Sequence, residues 1–148
     1  MPRRRYGGFS LIELMVAVAI TGIIASLSMA AYDGYVSKSQ RSKAQFMLLS
    51  ISNQQEKFFS NTGRYAVSLT ELGYQTVAGG QLRGFEIEDG YYYSVAMSVP
   101  QPTRYVITAT AIDRQLEDHD CRTFTLSSTG LEGAADVTNA NQREKCWK

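Results

Sequence analysis

An apolar run near the N-terminus constrains this 148-residue chain more than any other feature. Residues 9–31 contain a single charged side chain, that of Glu13. As a helix the run would rise roughly 35 Å, which is enough to cross a hydrocarbon layer of about 30 Å. Three arginines stand before it at positions 3–5, and basic residues next to a span stay on the cytoplasmic side. We therefore expect a membrane-crossing helix with the rest of the chain outside.

Three interpretations fit this run. It resembles a secretory signal that is removed after Ala30, because Ser28-Met29-Ala30 has the small-x-small pattern of a cleavage site. A permanent anchor is the second interpretation. Neither explains Glu13, since a carboxylate within a membrane helix costs up to about 2.5–3.5 kcal/mol. In the third, chain cleavage after Gly8 creates an ammonium group at Phe9, and Glu13 meets this group on a neighbouring helix.

The stretch Gly8-Phe9-Ser10-Leu11-Ile12-Glu13 resembles the class III signal of type IV pilins and related pseudopilins. The resemblance implies that a prepilin peptidase cuts after Gly8 and methylates Phe9. It also implies that Glu13 neutralises the terminal amine of a neighbouring subunit during assembly. The implied partners are other pilin subunits, the peptidase, the inner-membrane assembly platform and, before assembly, membrane lipid. Many family members carry proline where this chain has Ala30.

Helical spacing continues beyond the apolar run. Between Tyr32 and Ser60 apolar residues recur on one helical face, which predicts an amphipathic helix that packs on a globular head. Gly63 suits a left-handed helix end. The expected domains are a cleaved leader at 1–8, a transmembrane or filament-core helix at 9–31, its amphipathic half at 32–62 and a β head at 63–148. The apolar stripe consists of Val36, Ala44, Met47, Leu48, Ile51 and Phe58.

Three segments of the head have strand character. They are 91–97, 104–111 and 122–127, rich in aromatic and β-branched residues, with a hairpin turn expected at Pro100-Gln101-Pro102. The predicted fold class is α+β, in which a long N-terminal helix packs on an antiparallel sheet of three or four strands.

Cys121 and Cys146 are the two cysteines of the chain, and export of the head favours a disulfide between them. The head also resembles the minor-pilin, PilE-like subgroup of the family in three features: a tyrosine-rich strand, a Cys-Arg-x-Phe-x-Leu strand and a C-terminal Cys-Trp. In the family, the segment between the cysteines lies on the filament surface. His119 with these cysteines does not make a zinc ligand set of known spacing.

The remaining chemistry favours binding or assembly over catalysis. Of 15 basic residues three fall in the leader, so 12 would remain against 14 acidic ones, a balance that predicts no strong non-specific affinity for nucleic acid. We find no catalytic constellation and expect no cofactor; the acidic residues at 117, 118 and 120 are expected to be solvated loop residues. Together with this, the resemblance to type IV pilins predicts a structural pilus subunit of the minor-pilin type. Two alternatives stay open. One is a secretion-system pseudopilin, and the other is a subunit that binds DNA or a surface receptor. If the chain binds DNA, the candidate contacts are Arg122, Arg143, Lys145, Trp147 and Lys148.

Overall fold

The computed structural model describes residues 10–76, 80, 82–83 and 92–147. The chain divides into two compact units, Met1–Val36 and Ser37–Lys148. The first helix, α1, runs from Leu11 to Thr62 and contributes to both units. It ends where Gly63 adopts a φ of 72°, a left-handed conformation that glycine adopts without steric cost. The Gly63 N–H donates to the Phe59 carbonyl at 2.8 Å, which satisfies one carbonyl of the last turn.

The head is built on an antiparallel sheet. Its described strands follow one another in chain order, so each pairs with the next. They are β1 (Leu82–Arg83), β2 (Tyr93–Gln101), β3 (Arg104–Ala111), β4 (Thr123–Ser127) and β5 (Glu132–Ala135). The fold class predicted from the sequence is confirmed, although these five described strands exceed the three or four expected. The additional short strands are β1 at one edge of the sheet and β5 at the other.

The turn between β2 and β3 lies later than the sequence suggests. Gln101 pairs with Arg104, so Pro102 and Thr103 form the turn. Pro100 instead belongs to β2, where the register shifts between Ser98 and Gln101. A proline has no N–H to donate to a ladder, and an irregularity in the pairing is where a strand tolerates it.

The core lies between one face of the sheet and the second half of α1. Alternate residues of β3 are buried, because successive side chains of a strand point to opposite faces. The helix contributes four apolar side chains of the predicted stripe, Ala44, Met47, Leu48 and Ile51. The sheet contributes Tyr93, Val95, Tyr105, Ile107, Ala109, Ala111, Phe124, Leu126 and Ala134.

Two elements close the C-terminal part of the head. A 3₁₀ turn at Asp113–Glu117 follows β3, and the short helix α2 (Arg143–Cys146) follows β5. Cys121 and Cys146 are joined by a disulfide with a Cα–Cα distance of 5.8 Å. This bond ties the loop before β4 to α2, and both cysteines are buried in the core.

Candidate functional site

The start of α1 carries the carboxylate for which the sequence predicts an assembly role. Glu13 lies in the first turn of the helix with its side chain exposed. Among the described residues it has no ion-pair partner. The apolar side chains around it are exposed as well, Leu11 by 77% and Leu14 by 60%. This end of the helix thus presents an apolar surface with one charge in it.

The predicted cleavage site, Gly8 and Phe9, lies outside the described residues, as do Tyr91 and Lys148. No helix formed by the described residues is long and apolar enough to span a membrane.

Arg143 and Lys145 lie on the surface of the disulfide-bounded region. Arg143 Nη2 is 3.3 Å from Glu132 Oε2, and Lys145 Nζ is 2.8 Å from Asp120 Oδ2. Their side chains are 51% and 55% exposed. Surface pairs of this kind contribute about 0–1 kcal/mol, so they restrain the two cations only weakly.

Arg122 and Trp147, two further candidate DNA contacts, are engaged within the fold. Arg122 Nη2 donates to the Leu116 carbonyl, and its Nε is buried without a described partner. The indole N–H of Trp147 donates to the Gly133 carbonyl at 2.7 Å. Its ring packs edge-on against Phe124, with centroids 5.9 Å apart. These contacts give Trp147 a packing role at the edge of the core.

A buried ion pair joins α1 to the loop before β4. Arg41 Nε and Nη2 donate to the two oxygens of Asp118 at 2.6 and 2.7 Å. The carboxylate also accepts from Gln115 Nε2 and from the N–H groups of Asp120 and Cys121. The expectation that Asp118 is a solvated loop residue is therefore wrong, because its side chain is only 2% exposed.

The electrostatics of Asp118 follow from these contacts. Burial disfavours the charged carboxyl, but the hydrogen bonds and charge of Arg41 and the two backbone N–H groups outweigh burial and lower its pKa. The same pairing raises the pKa of Arg41. Asp118 is therefore held as a carboxylate that fixes the loop leading into the disulfide.

The described residues contain no candidate metal-binding site. Within the described part of the chain, no three His, Cys, Asp or Glu side chains come together in a way that would hold a metal ion.

The architecture is that of the type IV pilins. A solved structure of a type IV pilin from Shewanella oneidensis aligns with 76% of this chain and 98% of its own, with a TM-score of 0.50 and 22% identity. The low identity restricts this likeness to the fold.

Two family models match the sequence. One is the prokaryotic N-terminal methylation motif, over residues 3–29. The other covers residues 30–125 and describes the type IV minor pilin ComP, a DNA uptake sequence receptor. This second match spans more than half of the chain, and the chain therefore belongs to the ComP family of type IV minor pilins.

Individual relatives are described as a type IV pilin and a fimbrial protein. The type IV major pilin protein PilA of Myxococcus xanthus is 36% identical over 54% of this chain, and fimbrial protein EcpC of Eikenella corrodens is 33% identical over 70%. The matches cover 36% and 61% of the length of these two relatives. The chain thus covers less than two thirds of the length of each of these two relatives.

Proposed function

We propose that this chain is a minor subunit of a type IV pilus whose head receives DNA at the cell surface. Family membership makes it a pilin, and the match of residues 30–125 to a model described as a DNA uptake sequence receptor supports the DNA role. That match is the observation that carries the proposal, and it favours a pilus over a secretion pseudopilus. It leaves an adhesive role without a supporting observation.

Before assembly, the subunit lies in the inner membrane, with its N-terminus in the cytoplasm and residues 9–31 across the bilayer. Prepilin peptidase removes the leader between Gly8 and Phe9 and methylates Phe9. The assembly platform then moves the subunit out of the lipid and into a filament of pilin subunits. The match of residues 3–29 to the methylation motif supports this sequence of events.

An ion pair formed by Glu13 would favour assembly of the subunit into the filament. In an assembled bundle of apolar helices, a carboxylate and an ammonium group gain more from pairing than they do in water. The exposed apolar side chains around Glu13 supply the surface that such a bundle would bury.

Replacing the carboxylate tests this role. We expect Glu13→Ala to leave leader cleavage intact and to lower the amount of the chain in sheared pili steeply. The matched control is Glu117→Ala, which removes an exposed acid from the head and should leave incorporation unchanged. Normal incorporation of the Glu13 variant would rule out the proposed assembly contact.

DNA binding by the head would use two exposed cations near the disulfide, Arg143 and Lys145. Arg122, Trp147 and Lys148 would have a smaller role. Arg143 and Lys145 are half-exposed and held only by surface pairs, so DNA phosphates can compete for them. Each phosphate contact contributes about 0.9 to the slope of log K against log salt for duplex DNA.

A salt titration of DNA binding by the full mature chain in detergent micelles tests this assignment. The double variant Arg143→Gln/Lys145→Gln should lower the slope by about 2, whereas Lys57→Gln, a similar loss of an exposed cation on α1, should leave it unchanged. No binding even at low salt would exclude the DNA role. An unchanged slope in the double variant would move the contacts elsewhere on the head.

A further inference from the structure

A cavity lies between the second half of α1 and the C-terminal helix α2. Its volume is about 290 Å³, it is partly open to solvent, and it is bordered on one side by residues 38–45 and on the other by residues 145–146. That volume has room for several water molecules. Lys38, Arg41, Ser42, Gln45, Lys145 and Cys146 line it.

The charged side chains of this lining are all cations. Lys38 is exposed and forms no ion pair with any residue that the structure describes. Arg41 uses Nε and Nη2 on Asp118, and neither of these hydrogen bonds involves Nη1. Lys145 is paired with Asp120 at the surface. Three positive groups thus border the cavity. Asp118 and Asp120 are paired with two of them, Arg41 and Lys145, which leaves the charge of Lys38 without a carboxylate among the described residues.

The other contacts of the lining hold its walls in place. Gln45 Nε2 donates to the Cys146 carbonyl at 2.6 Å, which joins α1 to α2 directly across the cavity. The disulfide joins α2 to the loop before β4, and the Asp118 carboxylate fixes the guanidinium of Arg41. The two helices that carry the cations and the guanidinium of Arg41 are therefore held in place before a ligand binds, which lowers the entropy lost on binding.

We infer that this cavity binds a phosphate group. A phosphate offers several acceptor oxygens. Donors for them are Nη1 of Arg41, the ammonium group of Lys38 and that of Lys145, whose weak surface pair with Asp120 a phosphate can replace. The group can come from a DNA backbone or from free phosphate. The DNA source rests on the proposed function, whereas binding of free phosphate does not.

Titration with inorganic phosphate tests the cavity without DNA. The full mature chain in detergent micelles would be titrated at constant ionic strength, with chloride as the matched salt, while backbone amide NMR shifts are followed. We expect saturable shifts at residues 38–45 and 143–147, in the millimolar range of Kd that suits exposed charge contacts.

Three single variants locate the binding. Lys38→Gln and Lys145→Gln should each weaken phosphate binding by about tenfold, because each removes one of three cations from the lining. Lys57→Gln removes an exposed cation elsewhere on α1, some 19 residues and about 28 Å along the helix from Lys38, and should leave the Kd unchanged. Arg41 is left intact, since its loss would also break the ion pair with Asp118.

A DNA competition then identifies the source of the group. Displacement of phosphate by short duplex DNA, with the same loss in the Lys38 variant, supports a DNA backbone phosphate in the cavity. DNA binding that leaves phosphate in place supports the cavity as a site for free phosphate. No saturable shift with phosphate, or equal loss in all three variants, overturns the cavity as a site. In that case the salt titration of DNA binding still decides the proposed function by itself.

Discussion

At the scale of single residues, the buried Asp118 carboxylate holds the C-terminal part of the head together. It links α1 through Arg41, the 3₁₀ turn through Gln115 and the disulfide loop through the N–H of Cys121. Gln115 also donates to the Ser37 carbonyl, so the same small cluster contacts α1 twice. A buried pair need not add stability in total, but breaking it leaves the other charge without a partner.

Removal of this charge should therefore be costly. We expect Asp118→Asn to lower the free energy of unfolding by roughly 3–5 kcal/mol, as for other broken buried pairs. Asp120→Asn, two residues away, removes a half-exposed carboxylate from a surface pair and should cost less than about 1 kcal/mol. Urea unfolding of both variants measures the difference. Equal costs would contradict a special role for Asp118.

Acid should destabilise the head within a defined pH window. Asp118 has a lowered pKa, and hydrogen bonds from Thr138 and Gln142 lower the pKa of Asp136 from 3.8 to about 2. A lowered folded-state pKa gives stability that is present above the unfolded-state value and is lost as the pH falls through the folded-state value. Thermal unfolding followed from pH 6 to pH 2 should show a constant midpoint above about pH 5 and a fall between about pH 4 and 2. The fall should be shallower in Asp136→Asn, and an unchanged profile in that variant would contradict the assignment.

At the scale of elements, a polar residue within the apolar stripe of α1 binds the loop that follows the helix. Gln55 is fully buried. Its Oε1 accepts from the Ala66 N–H at 2.8 Å, and its Nε2 donates to the Ala66 carbonyl at 2.9 Å. The amide thus satisfies both backbone groups of a buried residue, which would otherwise be left unpaired.

A substitution of similar volume isolates this contact. Gln55→Met should lower the free energy of unfolding by about 2–3 kcal/mol, because it leaves the buried N–H and C=O of Ala66 without partners. Gln54→Met changes the neighbouring side chain, which makes no hydrogen bond to a described residue, and should be nearly neutral. Circular dichroism during chemical unfolding checks both variants. A neutral Gln55 variant would show that solvent reaches Ala66.

The sequence predicts the elements better than it predicts the contacts between them. The C-terminal end of α1 and the presence of strands β2, β3 and β4 follow from periodicity and β-propensity, whereas the end of β2 does not. The sequence does not predict β5, because Glu-Gly-Ala-Ala has little strand preference. This segment becomes a strand by pairing with the free edge of β4. The Arg41–Asp118 pair joins residues 77 apart, and no local pattern indicates such a contact. Gln55 interrupts an apolar stripe, a signal that could have indicated a buried amide with specific partners.

At the scale of the whole molecule, the two units serve different parts of the proposed function. The first unit presents an exposed apolar helix that carries the Glu13 carboxylate in its first turn, a surface suited to packing among similar helices. The second unit carries a core closed by a disulfide, with cations on its C-terminal surface. Assembly would depend on the first, and DNA or phosphate binding on the second. Variants of Glu13 and of Lys145 should therefore fail in separate assays.

The most direct test of this account is the mass of the chain recovered from sheared pili. We predict a mature chain that begins at Phe9, carries one added methyl group on its terminal nitrogen and keeps the Cys121–Cys146 disulfide. It should be present at a small fraction of the abundance of the main filament subunit. A chain that begins at Ala31, or that retains the leader, would contradict processing at Gly8 and with it the assembly role of Glu13.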